Sequence, residues 1–272
     1  MARWEEFELD CTNYLNHKFG KYANFIHQGG ADSTVADILV KTVSGNTFYI
    51  DVKHSPAQCG QFVLFSNIEK HSFEYSSKNI NRNNEWAGII IKHMNKYFDE
   101  FREVGTAGKD IILDNGKDIF SNWIIHSYKD KNVKYFITNN YIIVPIDKFA
   151  DYFEVSAKYR IKRSGSSSLG KNRVVTYAKL LLNNQAHNYK VTNVRIDGDK
   201  LFVSSDKELH NLRFIAPADE MNEYMFSVRN NEYEVRKLSN TCNANVIFSI
   251  KLKGTISGIS DKDFIDYLFK PN

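Results

Sequence analysis

The stretch "ADILVKTVSGNTFYIDVK", Ala36 to Lys53, reads as two apolar strands folded back on each other around a turn. "TVADILVK" and "TFYIDVK" are rich in β-branched residues and aromatics, and "TVSGN" between them holds the Ser, Gly and Asn that turns use. In the second strand Phe48, Ile50 and Val52 point one way and Tyr49, Asp51 and Lys53 the other, because successive side chains alternate. A hairpin centred near Ser44 sets Asp37 across from Asp51. Two carboxylates then converge beside one lysine.

Two explanations fit that set. Asp37, Asp51 and the Val52 backbone carbonyl, with water, supply the hard oxygen ligands that Mg²⁺ takes, leaving positions for a phosphate. Such a cation polarises a phosphoryl oxygen and activates water, while Lys53 adds positive charge where the transition state becomes negative. The other explanation is a surface hairpin whose Asp–Lys pair contributes at most about 1 kcal/mol. A bare Asp-x-Lys triplet is a weak signal. The preceding strand acid, the hairpin and the downstream Gln61 strengthen it.

Charge along the chain is segregated. The formal net charge of +4 identifies no partner, but from Glu154 to Asp197 nine Lys or Arg residues stand with no acid between them. An unneutralised basic segment is the footprint of phosphate-backbone contact. Within it, "YRIKRSGSSSLGKNR" predicts a strand running into a Ser/Gly loop and out again, with Tyr159, Ile161 and Arg163 alternating with Lys158, Arg160 and Lys162. Arginine can grip a guanine edge with two hydrogen bonds, and small residues let backbone approach a groove. Lys158, Arg160, Lys162, Arg163, Ser164, Gly165, Ser166, Lys171 and Arg173 are therefore candidate DNA contacts, against the alternative of a solvated basic hairpin.

Around these segments, Trp4, Phe7, Cys11, Leu15 and Phe19 recur every three or four residues, which predicts an amphipathic helix over 3–19 ended by Gly20. Helices are also predicted over 85–101, 118–131 and, in a short form, 147–153. "FVLF" and the two halves of "VKYFITNNYIIVPI" read as strands. From about residue 188 the pattern changes to short strands, closed by a helix at "DKDFIDYLFK". The first half is mixed α/β around a sheet and the second mostly β. Changes of pattern and charge suggest divisions at 1–150, 151–185 and 186–272.

Composition adds limits. With 42% hydrophobic residues and only four prolines the 272 residues can bury a full core, and no tract argues for disorder. The acidic "MARWEEFELDCTNYL" is no secretory leader, and no run nears the roughly 18 apolar residues of a membrane span. These features predict a cytoplasmic protein without a membrane partner. Cys11, Cys59 and Cys242 lack zinc or disulfide spacing and are expected to be reduced thiols. The scattered histidines have no metal-site spacing. Glu5, Glu6 and Glu8 of the first helix read as solvated charges.

"AD" at 36–37 followed by "DVK" at 51–53 resembles the signature of the PD-(D/E)XK nuclease superfamily, with Ala36 in the place of the usual proline and Asp51 where glutamate is commoner. Gln61 resembles the extra glutamine found after the lysine in several branches. "FYIDVKHSPAQCGQFVLF", "YRIKRSGSSSL" and "LSNTCNANVIFSIKLK" are similar to a type II restriction endonuclease family, across nearly the whole chain. The resemblance implies an α/β (α+β) fold: a mixed-sheet catalytic core flanked by helices, then mostly β recognition and DNA-contacting modules. It implies Mg²⁺ on Asp37 and Asp51, to which the strand reading adds the Val52 carbonyl, with Lys53 completing a catalytic set of Asp37, Asp51 and Lys53. It also implies water positioning by Gln61 and, as in some relatives, a further metal contact from Glu5, Glu6 or Glu8 of the first helix. It further implies double-stranded DNA cut at GCGC by a monomer, and a cognate DNA methyltransferase in the same system that forms no stable complex with it. A nuclease without sequence preference and a non-catalytic DNA-binding protein are the rival expectations.

Overall fold

A computed structural model describes residues 3–28, 35–163, 165–183, 190–217, 219–254 and 257–270. The chain divides into two compact units, Met1–Ile161 with Ala244–Asn272, and Lys162–Asn243. The divisions therefore fall elsewhere than near 150 and 185. The reason is that two long strands on either side of the second unit belong to one sheet of the first.

In the first unit, α1 (Arg3–Phe19) buries Cys11, Leu15 and Phe19, one residue per turn, and ends at Gly20. A Cβ there would stand 2.3 Å from the Asn16 carbonyl oxygen, so no other residue closes the turn this way. Next come β1 (Ala23–His27), β2 (Ile38–Thr42) and β3 (Thr47–Lys53). The β2–β3 hairpin pairs Ile38 with Ile50 and Val40 with Phe48, the register expected from a turn near Ser44.

The chain continues through β4 (Ala57–Asn67), β5 (Ser72–Tyr75), α2 (Glu85–Lys96), α3 (Phe98–Arg102), β6 (Lys109–Asp110) and α4 (Gly116–Lys129). The helix predicted over 85–101 is broken at Tyr97, whose N–H bonds to both His93 and Met94 carbonyls. Phe98 and Phe101 are thereby turned into the core against Phe73 and Tyr159. Strand β7 (Val133–Thr138) then lies parallel to β3, setting Asp51 beside Phe136 and Lys53 beside Thr138. With β8 (Ile142–Pro145) the first sheet has the order β1-β2-β3-β7-β8.

After α5 (Phe149–Tyr152), β9 (Phe153–Arg163) joins the second sheet. The second unit contains β10 (Ser166–Ser168), α6 (Lys171–Asn183), β11 (Val191–Asp197), β12 (Lys200–Ser205), β13 (Arg213–Ala216), β14 (Asp219–Arg229) and β15 (Glu232–Leu238). Its sheet runs β11-β12-β15-β14-β13, with β10 paired to the far end of β15. The segment after the Ser/Gly loop is helical: Val174, Tyr177, Ala178 and Leu181 form a buried face, so the basic residues ride on a helix that packs. Strand β16 (Cys242–Leu252) returns to the first unit, giving the order β5-β4-β16-β9-β6, and α7 (Asp261–Phe269) covers the first sheet through Phe264 and Leu268.

Two cores fill the first unit. One lies between α1, the first sheet and α7, and the other centres on Trp123, Phe62 and Phe248, with the Trp123 and Phe248 rings stacked 4.3 Å apart. Cys11 and Cys59 are buried free thiols and Cys242 an exposed one. Among the described residues no helix is long and apolar enough to cross a membrane.

Gly60, at φ +89°, lies against the Trp123 indole, where a Cβ would come within 2.7 Å of the ring. Gly60→Ala combines left-handed strain with that collision and is expected to cost about 2 kcal/mol or more, read as a lowered urea midpoint.

Candidate active site and nucleic-acid interface

The hairpin register brings Asp37, Asp51, Val52 and Lys53 together at the end of β3. Asp37 lies one residue before the ladder begins, where its Oδ2 accepts the Val52 N–H at 2.7 Å. Lys53 Nζ is ion-paired to Asp51 Oδ2, stands 3.9 Å from Asp37 Oδ2 and donates to the Val52 carbonyl at 3.1 Å. The neighbouring strand fixes the backbone here, since the Thr138 hydroxyl donates to the Lys53 carbonyl at 2.6 Å. Asn139, which the sequence places merely in a turn, brackets Ser55: its Oδ1 accepts the Ser55 N–H and its Nδ2 donates to the Ser55 carbonyl, both at 2.8 Å.

Burial shapes the electrostatics. Asp51 is 4% exposed, and loss of water pushes its carboxyl up to about 7, although Lys53 pulls the other way and Asp37 adds to the rise. Asp37 is raised for the same leading reason, opposed by Lys53 and the Val52 N–H. Burial alone would depress Lys53, but the two carboxylates more than offset it and hold the ammonium above the ordinary lysine value. Lys53 is thus a fixed cation at neutral pH, between two carboxylates that are hard to keep charged.

The residues present suit a hard divalent cation. The buried Asp51 and the half-buried Asp37 outnumber the one ammonium between them, leaving negative charge that a cation would relieve, and the Val52 carbonyl is a third oxygen. Among the described residues no cluster of three or more His, Cys, Asp or Glu side chains is assembled. Water or phosphate oxygens would complete the shell, as Mg²⁺ commonly requires.

Other residues near the cluster escape sequence reasoning. Beneath Lys53 the buried Cys59 thiol shares a hydrogen bond with Tyr128, and desolvation raises both groups, Cys59 to about 12. Neither lies in a motif; their only signal is an apolar position in a strand and a helix. Glu6 is exposed, as a solvated helix charge should be, whereas Glu8 is buried and meets His27 Nε2 at 3.1 Å. Gln61 shows no hydrogen bond to the carboxylates; its Oε1 accepts from Gln58 Nε2 at 3.2 Å.

The candidate DNA contacts are divided by the unit boundary. Lys158 and Arg160 belong to the first unit, where Lys158 pairs with Asp110 at 3.4 Å. Lys162, Arg163, Gly165, Ser166, Lys171 and Arg173 belong to the second, and Ser164 lies outside the described residues. The segment is acid-free in sequence but not in space: Arg163 is ion-paired to Glu223, and Arg173 stands 3.9 Å from Asp219. Arg236, absent from the sequence prediction, secures Ser166 by donating to its hydroxyl at 2.8 Å and its carbonyl at 2.7 Å. Glu234, 2% exposed, holds Arg236 at 2.6 Å and Arg229 at 3.1 Å.

The chain is similar to a solved structure of HhaI endonuclease in complex with DNA, with 38% sequence identity, 98% of this chain and 99% of that one covered, and a TM-score of 0.81. No family model and no curated protein matches.

Glu234→Ala leaves the half-buried Arg236 without its carboxylate. It is expected to destabilise the protein by about 3 kcal/mol in urea unfolding, and to free Ser166.

Proposed function

The chain belongs to the family of type II restriction endonucleases that includes HhaI endonuclease, enzymes that hydrolyse DNA at specific sites, and from that premise we propose a Mg²⁺-dependent cut within GCGC in double-stranded DNA. The observation that carries the chemistry is the convergence of Asp37, Asp51 and Lys53 at the end of β3. Asp37, Asp51 and the Val52 carbonyl would hold the cation, which would supply polarisation of the phosphoryl oxygen and activation of water. Lys53, kept protonated by its two carboxylates, does not accept a proton; it holds the attacking water by hydrogen bonding and offsets charge developing on the phosphate oxygens. Burial of Asp51 and Cys59 keeps bulk water from screening that charge.

DNA contact falls to the candidate basic residues from Lys158 to Arg173, with the Gly165–Ser166 backbone held by Arg236 close enough to approach a groove. The enzyme acts as a monomer, beside a methyltransferase of the same specificity that it does not bind stably. Gln61 takes a water-positioning role only if it leaves Gln58 when DNA arrives.

Digestion of a plasmid of known sequence in Mg²⁺, followed by sequencing of the ends, is expected to give discrete fragments broken at GCGC. A smear would point to a nuclease without sequence preference, and an intact plasmid to a non-catalytic DNA-binding protein. Lys53→Ala and Asp51→Ala are each expected to lower the cleavage rate by about 10³-fold or more while leaving duplex binding in Ca²⁺ within a few-fold of the parent. Cleavage near the parent rate in either variant would remove these residues from the mechanism.

A further inference from the structure

A pocket of about 330 Å³ opens in the first unit beside the carboxylate–lysine cluster, and Gln58, Gln61, Lys78, Trp123, Tyr128 and Lys131 are among its lining residues. Its volume lies at the lower end of small-ligand sites. Its charge is of one sign: the lining contains two lysines and no carboxylate. The remaining polar groups are amides, hydroxyls and the Trp123 indole; Tyr75 and Asn79 already donate to backbone carbonyls, and Gln58 to Gln61.

Tyr128 lines this pocket and also lies near the cluster. Lys53 Nζ stands 5.8 Å from the centre of its ring, and Lys131 Nζ stands at the same distance from that ring. The two ammonium groups are therefore separated by no more than twice that distance. Each DNA strand carries one phosphate per about 3.4 Å of helix axis, so a phosphate one or two nucleotides from a scissile group beside Lys53 falls within reach of Lys131.

We propose that this pocket seats a non-scissile backbone phosphate of the strand being cut, with Lys131 as its principal contact and Lys78 at the rim. The proposal rests on the endonuclease reading above. Lys131 and Lys78 are positioning residues: they fix where the strand lies, and the scissile phosphate is thereby delivered to Asp37, Asp51 and Lys53. A phosphate clamp carries no sequence information, so its loss weakens cognate and non-cognate duplexes alike.

The test is a set of GCGC duplexes carrying one neutral methylphosphonate at successive positions around the cut, bound in Ca²⁺ by the parent, Lys131→Gln and Lys131→Arg. The parent is expected to lose about tenfold in affinity at one flanking position, and Lys131→Gln to be weakened about tenfold on the unmodified duplex yet lose little more from that modification. Its log K against log salt slope should be shallower by about one, and Lys131→Arg should keep most of the parent's affinity. If every methylphosphonate penalises Lys131→Gln as much as the parent, or Lys131→Gln lowers only the cleavage rate, the clamp is overturned. Cleavage of the unmodified duplex by the parent in Mg²⁺ is measured alongside. Its absence would overturn the endonuclease reading, whereas cleavage with unmoved penalties would overturn the clamp alone.

Discussion

The register of β3 between β2 and β7 is the constraint on which the carboxylate–lysine cluster depends. A strand's side chains alternate faces, so a slip of one residue in the β2–β3 ladder would turn Asp51 and Lys53 away from Asp37. Both neighbours oppose such a slip. Ile38, Val40, Phe48 and Ile50 bury the opposite face against α1 and α7, and the parallel ladder to β7 ties Lys53 to Thr138 through the hydroxyl bond to its carbonyl. Apolar burial on one face thus holds charged groups at positions on the other that they would not choose for themselves.

How much of this was legible in the sequence depends on whether the deciding interaction was local. The hairpin register, the first helix and most strands follow from alternation and turn residues within about twenty positions, and so Asp37, Asp51 and Lys53 could be brought together without coordinates. The return of β16 to the first unit could not, because its apolar run fits either sheet and the choice is made by Phe248 finding Trp123 far away in the chain. Helix α6 was legible in the spacing of Val174, Tyr177, Ala178 and Leu181, but the charge run before it drew the reading toward a loop and strand. Glu8 looks like one more solvated helix glutamate until His27 arrives from β1.

Charge was the least legible feature, because neutralisation happens between elements that sequence keeps apart. Arg163, Arg173 and Lys158 each meet a carboxylate from another strand, and Arg195 meets Glu232 at 2.6 Å. A guanidinium held on one side is not spent. It has five donors in a rigid fork, and a carboxylate that engages some of them aims the others, which lowers the entropy lost when a base edge or phosphate binds.

The two units therefore handle charge in opposite ways. In the second, the Arg229–Glu234–Arg236 network meets a deeply buried carboxylate with two guanidinium groups, one positive charge in surplus, and uses the spare donors to fix Ser166. In the first, one ammonium faces the buried Asp51 and the half-buried Asp37, both pushed by desolvation toward their neutral forms. Balance there needs an added cation, and a cation bound to two carboxylates keeps positions open for phosphate oxygens. The surplus of negative charge at Asp37 and Asp51 is what an added divalent cation would relieve, and the strand register that enforces it links the fold to the proposed chemistry.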